Sequence, residues 1–442
     1  MPDAHSLIDR TASTSPSKLQ VVGARGPLTQ RQSKDLLDRL RSQNPNSDIL
    51  DRHLAIEQAV AETPLIVGNH TQLLRDGAMT FDAMFDAIRQ ARRHLNLEYF
   101  TFENVRSGDE ALGDLLVAKR GQGVEINILY DSYGSSTTPS AFFDRLKAAG
   151  ITVLSFNPVN PLDARGDYSL NDRDHRKILI ADGTTAIVGG VNLSQDYESR
   201  PYGPLQPAWP RTSEYWRDTD LEISGPAVAA LQALFVQHWD AQKGPALDET
   251  SFFPKPVSAG DEVIRVIGST SQNGIPRFYV TLLSAIRTAE QRIWIATAYF
   301  VPTHDEIEDL ADAARRGVDV RLLVPGESDS DLALNVGRSH YDELLEAGVK
   351  IFETRNEILH SKTAVIDGVW SVVGSSNFDH RSVLFNDEVD AVVLGRATAR
   401  ELESMFEEDS RAATSIGLEE WERRPIHERA KEFLSRLVTD LL

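Results

Sequence analysis

The chain has 442 residues, 41% of them apolar, which is enough to bury one large core or two of ordinary size, and two domains is the default expectation. It contains no cysteine, which excludes disulfides, thiol nucleophiles and thiolate metal sites. A formal charge of −20 opposes binding to polyanionic nucleic acid, although a local basic pocket is still able to hold one phosphate.

In chain order, the opening MPDAHSLIDRTASTSPSKLQ has no apolar core flanked by basic residues. No window approaches the roughly 18–20 consecutive apolar residues of a membrane span, so the expectation is a cytoplasmic chain that meets a membrane only from outside it. Residues 1–28 are polar, rich in Ser, Thr and Pro, and expected to be loosely ordered. Thr29 and Ser47 then read as helix N-caps before QRQSKDLLDRLRSQ and DILDRHLAIEQAVAE, each with Leu or Ile at helical spacing.

From about residue 65 helical and strand patterns alternate, and they do so twice. FDAMFDAIRQARRHLNLEYFTF is matched by FYVTLLSAIRTAEQRIWIATAYFVP, GQGVEINILYD by RRGVDVRLLVP, and RLKAAGITVLSF by ELLEAGVKIFET. The repeat covers about 65–225 and 261–396, joined by the Pro- and Gly-containing WDAQKGPALDETSFFPKPVSAG. Helices alternating with buried strands imply the α/β class, with a sandwich and a mixed sheet in each half. The period is too long for a solenoid, so the pattern is a duplicated domain. The expected division is a polar tail with helices over 1–64, a first domain over 65–240, a linker over 241–260 and a second domain over 261–442.

After these elements each half carries one unusual stretch: HRKILIADGTTAIVGGVN from His175 and HSKTAVIDGVWSVVGSSN from His360. Asp182-Gly183 and Asp367-Gly368 are dipeptides favoured in two-residue hairpin turns. With such a turn Ala181 pairs with Thr184, Lys177 faces Val188, and His175 faces Gly190, which leaves a gap beside the imidazole. In the second half His360 faces Ser375. Strand alternation then brings Lys177 and Asn192 to the His175 face, and Lys362 and Asn377 to the His360 face. Imidazole, ammonium and carboxamide on one surface suit a phosphate. Two imidazoles divide phosphodiester chemistry: one attacks phosphorus while the other protonates the departing oxygen, without a metal.

A nucleophilic His must be neutral and held in one tautomer, which calls for a carboxylate on its other nitrogen. Glu388 of FNDEVDAVVLG and Asp218 of WRDTDLEISG occupy equivalent positions for that task, the first half reaching its carboxylate later because of the insertion RPYGPLQPAWPR. Asp182 and Asp367 complete the repeated pattern and stay in the candidate catalytic set, but at a turn Asp more often satisfies local backbone groups. A single His-x-Lys would be an ordinary surface strand. Matching His, Lys, Asp, Gly and Asn at identical offsets in both halves is not. A metal centre is disfavoured because a Lys ammonium shares each surface and no carboxylate-rich ligand set accompanies the histidines.

These residues resemble the two HKD motifs of the phospholipase D superfamily, and more closely the bacterial cardiolipin synthases, to which GNHTQLLRDG, LEYFTF, SFNPVNPL, WRDTDLEISGPAV, TAYFVP, GSSNFDHRS and NDEVDAVVLG are similar over about residues 50–440. The resemblance implies two tandem phospholipase D-like α/β sandwich domains related by a pseudo-two-fold, with the active site at their interface. It implies His175 as the phosphohistidine and His360 as general acid and base. Lys177, Lys362, Asn192 and Asn377 would bind phosphoryl oxygens, and Asp218 and Glu388 would orient the imidazoles. Gly190 and Ser375 enter as substrate contacts, with no metal and no cofactor. The implied reaction moves a phosphatidyl group from phosphatidylglycerol, or a similar anionic donor, to the hydroxyl of a second lipid, at the inner face of the cell membrane and as a peripheral protein. His380 and Val383 stand where relatives often carry Trp and Phe, which leaves the acceptor open. The C-terminal LEEWERRPIHERAKEFLSRLVTDLL mixes Arg423, Arg424, Arg429, Lys431 and Arg436 with Trp421, Phe433, Leu434, Leu437, Leu441 and Leu442, and suits either an anionic bilayer or the protein body. The rival functions are hydrolysis of lipid, or less readily of nucleic acid, by the same histidines, and a catalytically silent scaffold. The oligomeric state is not legible.

Overall fold

The computed structural model describes residues 4–13, 19–158, 169, 171–198, 216–270 and 276–436. The Pro-rich insertion, residues 159–162 of SFNPVNPL, and Leu437, Leu441 and Leu442 lie outside the described residues, as does the Phe433 side chain.

One mixed sheet runs through both halves. From its outer edge the first half contributes Thr152–Phe156, Glu125–Asp131, His94–Tyr99, Lys177–Ala181, Thr185–Gly189, Thr219–Ser224 and Leu65–Arg75. Glu262–Ser269 pairs antiparallel with Leu65–Arg75, and the order then repeats outward: Asn386–Leu394, Trp370–Gly374, Lys362–Ile366, Arg292–Thr297, Asp319–Val324 and Lys350–Glu353. Each of these seven strands of one half has a counterpart equally far from the central antiparallel pair, as a two-fold axis through that pair requires; Thr414–Ile416, added beyond Lys350–Glu353, has no equivalent beside Thr152–Phe156 among the described residues. The outer pairs are parallel and the inner ones antiparallel, so each half is the mixed α/β sandwich expected.

Three apolar layers hold this arrangement. The first half buries Leu97, Leu179 and Ile187 under Phe81, Phe85 and Leu116 of its outer helices. The second buries Ile295, Ile366 and Val372 under Leu282, Ile286 and Leu310 of its own. The opposite faces of both halves share one layer, in which Ile178, Val188, Val373 and Val393 pack with Leu231 and Phe235 of the helix Val228–Ala241 and Leu402 and Met405 of Arg396–Ala412. Removing this shared surface from water is the main force joining the halves.

The N-terminal region departs from expectation. Ala4–Ser13 is a helix, and Val21–Gly23 pairs parallel with the start of Leu65–Arg75, so the described part of 1–28 is ordered. Burial of Ala4, Ile8 and Val21 against Val280, Leu283 and the second-half core outweighs the polar composition. Thr29 caps the helix Gln30–Gln43 in a capping box with Gln32, as its sequence signals. Ser47 precedes the N-cap, Asp48; its Oγ accepts from the Ile49 amide at 3.2 Å and donates to Asp367 Oδ2 at 2.5 Å.

The motif hairpins also correct the expected register. Asp182 and Gly183 have φ of 52° and 64°, and Thr184 N donates to Ala181 O at 3.1 Å, so the two-residue turn forms. The ladder, however, pairs Ala181 with Thr185 and Ile178 with Val188, leaving Thr184 as an extra residue. The second half repeats the shift, pairing Ile366 with Trp370. Both Asp residues explain it, because each is tied to the start of the neighbouring strand. Asp182 N donates to His94 O, and its carboxylate accepts from the amides of Arg92, Arg93 and His94 at 2.8–3.0 Å. A one-residue slip reverses the faces, so Lys177 does not oppose Val188, and strand alternation is not what gathers the site.

Candidate active site

The gathering is done by two short parallel pairings between the halves. Arg173–Asp174 runs beside Asn386–Asp387, and Trp216–Arg217 beside Ile358–Leu359. The His175 amide donates to Asp387 O at 2.9 Å and the His360 amide to Arg217 O at 2.7 Å. Each motif histidine is thus fastened to the residue just before the other half's acid, and its ring meets that acid. His175 Nδ1 lies 3.1 Å from both Glu388 oxygens, and His360 Nδ1 lies 2.8 Å from Asp218 Oδ2. With Nδ1 so engaged, Nε2 is the nitrogen able to act. Both rings line one cleft of about 830 Å³, as do Asn192 and Asn377.

Lys177 and Lys362 stand behind the rings, both buried. Lys177 Nζ donates to His175 O at 2.5 Å, and Lys362 Nζ donates to His360 O and lies 2.7 Å from His360 Nδ1. Burial lowers Lys177 to about 7 and Lys362 to about 8. Burial also lowers both histidines, His360 further because Lys362 and Lys177 add to it while Glu388 offsets it at His175. The neutral imidazole that a nucleophile needs is therefore the resting form.

The two carboxylates differ. Burial raises Asp218 to about 6, its oxygens receiving the Thr219 amide at 2.8 Å and Tyr197 OH at 3.3 Å. Burial pushes Glu388 up too, but His175, Lys177 and Ser375 outweigh it and hold the group below its ordinary value. Glu388 accepts from Ser375 Oγ at 2.5 Å, Ser382 Oγ at 2.9 Å and Asn386 Nδ2 at 3.2 Å.

Two sets of candidates belong elsewhere. Gly190 and Ser375, expected against substrate, lie behind the acids and not on the cleft wall. A Cβ on Gly190 would collide with Asp218 Oδ1, and Ser375 in the equivalent place donates to Glu388. The gap that Gly190 leaves is filled by the carboxylate. Asp182 and Asp367 are not on the cleft wall either: like Asp182, Asp367 accepts backbone amides, those of Glu290, Gln291 and Arg292 at 2.8–3.0 Å. Their work is structural, because these strand-start amides would otherwise lack acceptors.

Other functional residues escaped the sequence. Tyr197 OH lies 2.8 Å from His360 Nδ1, Trp216 packs on the same ring at 4.9 Å, and Phe100 meets His175 edge-on at 5.2 Å. Asp220 and Asp390, two residues past each orienting acid, are buried; Asp220 Oδ1 accepts from the Val191 amide at 2.9 Å and Asp390 Oδ2 from Ser376 Oγ at 2.6 Å, holding the turns before Asn192 and Asn377. Their equal spacing was the available signal.

Glu98, Asp174 and His238 place ligand atoms within 4.8 Å of one another, all buried. His238 Nδ1 nevertheless lies 2.7 Å from Glu98 Oε1 and Nε2 3.1 Å from Asp387 Oδ2, and Arg176 Nη1 lies 3.3 Å from Glu98. Burial opposes the charge, but the facing Glu98 and Asp174 raise His238 to about 10, so imidazolium and guanidinium supply the positive charge a metal would bring.

The C-terminal helix Ile426–Arg436 packs beside Asp331–Arg338, with Arg424 bound to Asp342 and Glu432 at 2.8–3.1 Å; Ile426 and Leu434 face solvent.

A family model described as cardiolipin synthase, phospholipase D-like domain, matches residues 84–201 and 282–410. A cardiolipin synthase of Geobacillus thermodenitrificans is 35% identical over 395 residues, covering 88% of this chain and 75% of that protein. One from Alkalihalophilus pseudofirmus is 33% identical over 388 residues, covering 87% and 74%. Among solved structures, phosphatidylserine synthase from Haemophilus influenzae superposes with a TM-score of 0.65 at 12% identity, over 87% of this chain and 99% of that one, a likeness of fold.

Proposed function

The chain belongs to the cardiolipin synthase family of phospholipase D-like enzymes, and from that premise we propose that it transfers a phosphatidyl group between phospholipids through a phosphohistidine. His175 Nε2 attacks the phosphorus of a phosphatidylglycerol-like donor, and the N–P bond forms as the bond to the glycerol oxygen breaks. His360 gives that oxygen its proton, then takes one from the acceptor hydroxyl, whose oxygen attacks phosphorus and releases His175. Lys177, Lys362, Asn192 and Asn377 hold the non-bridging oxygens. His360 is deprotonated in the empty cleft, and the negative phosphate restores its proton affinity by offsetting the two lysines.

The observation that carries this reading is that the two imidazoles, each with Nδ1 on a carboxylate of the opposite half, line one cleft. No helix among the described residues is long and apolar enough to cross a membrane, and the proposed attachment is peripheral, at the inner face of the cell membrane. The test is incubation of purified protein with phosphatidylglycerol vesicles. Glycerol release with cardiolipin is expected; phosphatidic acid as sole product would make the protein a hydrolase. His175→Ala and His360→Ala should each lower turnover at least about 1000-fold. Labelled phosphatidyl group should remain on acid-quenched wild type and be absent from His175→Ala; label persisting on that variant moves the nucleophile elsewhere.

A further inference from the structure

The C-terminal helix Ile426–Arg436 is seated on the body by its polar side. A surface helix of a globular fold ordinarily buries an apolar stripe and turns its charges outward. The described side chains of this one do the reverse. Glu432 is 4% exposed, and its Oε2 accepts from Arg424 Nη2 at 2.8 Å, with Asp342 Oδ2 on the same guanidinium nitrogen at 3.0 Å. Ile426 is 83% and Leu434 61% exposed, and Ala430 between them is exposed too.

At 3.6 residues per turn, Ile426, Ala430 and Leu434 fall within about 80° of one another and form one outward stripe. The exposed Arg429 borders it on one side and the exposed His427 and Lys431 on the other, while both acids of the helix, Glu428 and Glu432, fall on the far side. An apolar strip between cationic margins matches a phospholipid surface, whose acyl boundary takes the strip while its headgroup phosphates meet the cations. A second copy of the chain fits less well, because three side chains present far less than the roughly 800 Å² per partner of a stable protein interface. The place in the fold agrees. Asp331–Arg338, against which this helix packs, puts Ala333 on the cleft wall, and its N-cap Ser330 stands there as well. The helix is therefore one layer from the cleft, about 10 Å between axes.

We propose that Ile426, Ala430 and Leu434 form a lipid-docking stripe, which enters the headgroup region of a phospholipid surface and holds the cleft beside it. This deepens the peripheral attachment proposed above and rests on that reading. The stripe works at contact, and the phosphates its margins meet are carried by zwitterionic and anionic lipids alike.

The test measures partition of the full chain onto vesicles of equimolar phosphatidylcholine and phosphatidylglycerol. The double variant Ile426→Gln/Leu434→Gln keeps good helix formers at two exposed positions, so it should fold as wild type yet partition at least about tenfold more weakly. Its turnover on vesicles should fall in step, while turnover on short-chain phosphatidylglycerol dispersed as monomers stays unchanged. Because the chain has no cysteine, Ala430→Cys offers a single thiol for an environment-sensitive fluorophore, whose emission should move to the blue when vesicles are added. A double variant that partitions as wild type does, or a label whose emission stays put on vesicle-bound protein, overturns the stripe and leaves peripheral attachment standing. Wild type that dimerises without lipid, and a double variant that does not, would make the stripe a contact between copies and overturn the proposal. Wild type that ignores the vesicles sinks the stripe and the peripheral reading together. Weaker partition of the double variant supports the stripe even where wild type yields only phosphatidic acid, a result that sinks the transfer reading alone.

Discussion

Lys177 and Lys362 show what burying the proposed phosphate site costs before a phosphate arrives. Their folded values of about 7 and about 8 lie below the ordinary 10.5, because an ammonium without water is destabilised. Between those values and 10.5 the unfolded chain holds protons that the folded chain has released, so stability rises with pH through that window and falls as pH drops toward 7. A bound oxyanion reverses the balance by favouring the ammonium. At pH 7.5 sulfate, whose own charge is fixed there, should bind with uptake of about one proton per chain, read as a binding enthalpy that changes with the ionisation enthalpy of the buffer. A buffer-independent enthalpy would mean that both lysines are charged beforehand. These lysines were legible in the sequence, as were the histidines, asparagines and orienting acids, because each occurs twice. Tyr197 was not: the hydroxyl that serves Asp218 comes from a tyrosine, and its counterpart, Ser382, serves Glu388, so the residue type does not repeat.

At the level of elements, the two motif turns share a backbone but not their surroundings, and that difference can be measured. Gly183 and Gly368 both have φ of 64°. A Cβ on Gly183 would collide with Phe252 O of the connector, whereas one on Gly368 would lie 3.2 Å from the Oε1 of the flexible Glu403 side chain. Gly368→Ala should cost about 1 kcal/mol for its left-handed φ, and Gly183→Ala about 3 kcal/mol, because the connector must also move. Equal denaturant midpoints for the two variants would show that the connector does not press on the first turn. The Asp-Gly dipeptides announced these turns correctly, yet the register inferred from them was off by one in both halves. The cause is tertiary: the Asp carboxylate is bound to the start of a strand about 75–90 residues earlier in the chain, which no local pattern reports.

For the whole molecule, the duplication was visible as paired strings, but the exchange of acids between the halves was not, since it depends on two short strand pairings across the two-fold. The net charge raises a further question at this scale. On the proposed reading, a chain of −20 whose donor is phosphatidylglycerol must approach a surface of its own sign. Its basic groups at the cleft are buried or part-buried, so they act at contact, whereas the acidic exterior acts at a distance. That repulsion extends over a Debye length of about 30 Å at 0.01 M salt and about 8 Å at 0.15 M. Turnover on pure phosphatidylglycerol vesicles should therefore rise several-fold between those salt concentrations, through association and not through kcat. Diluting the anionic lipid into a zwitterionic one should flatten the response. Many basic peripheral proteins show the opposite trend, because salt screens their attraction. A rate that fell with salt here would mean that a basic patch docks the protein in spite of its overall charge, with the arginines and lysine of the C-terminal helix region as the first place to look.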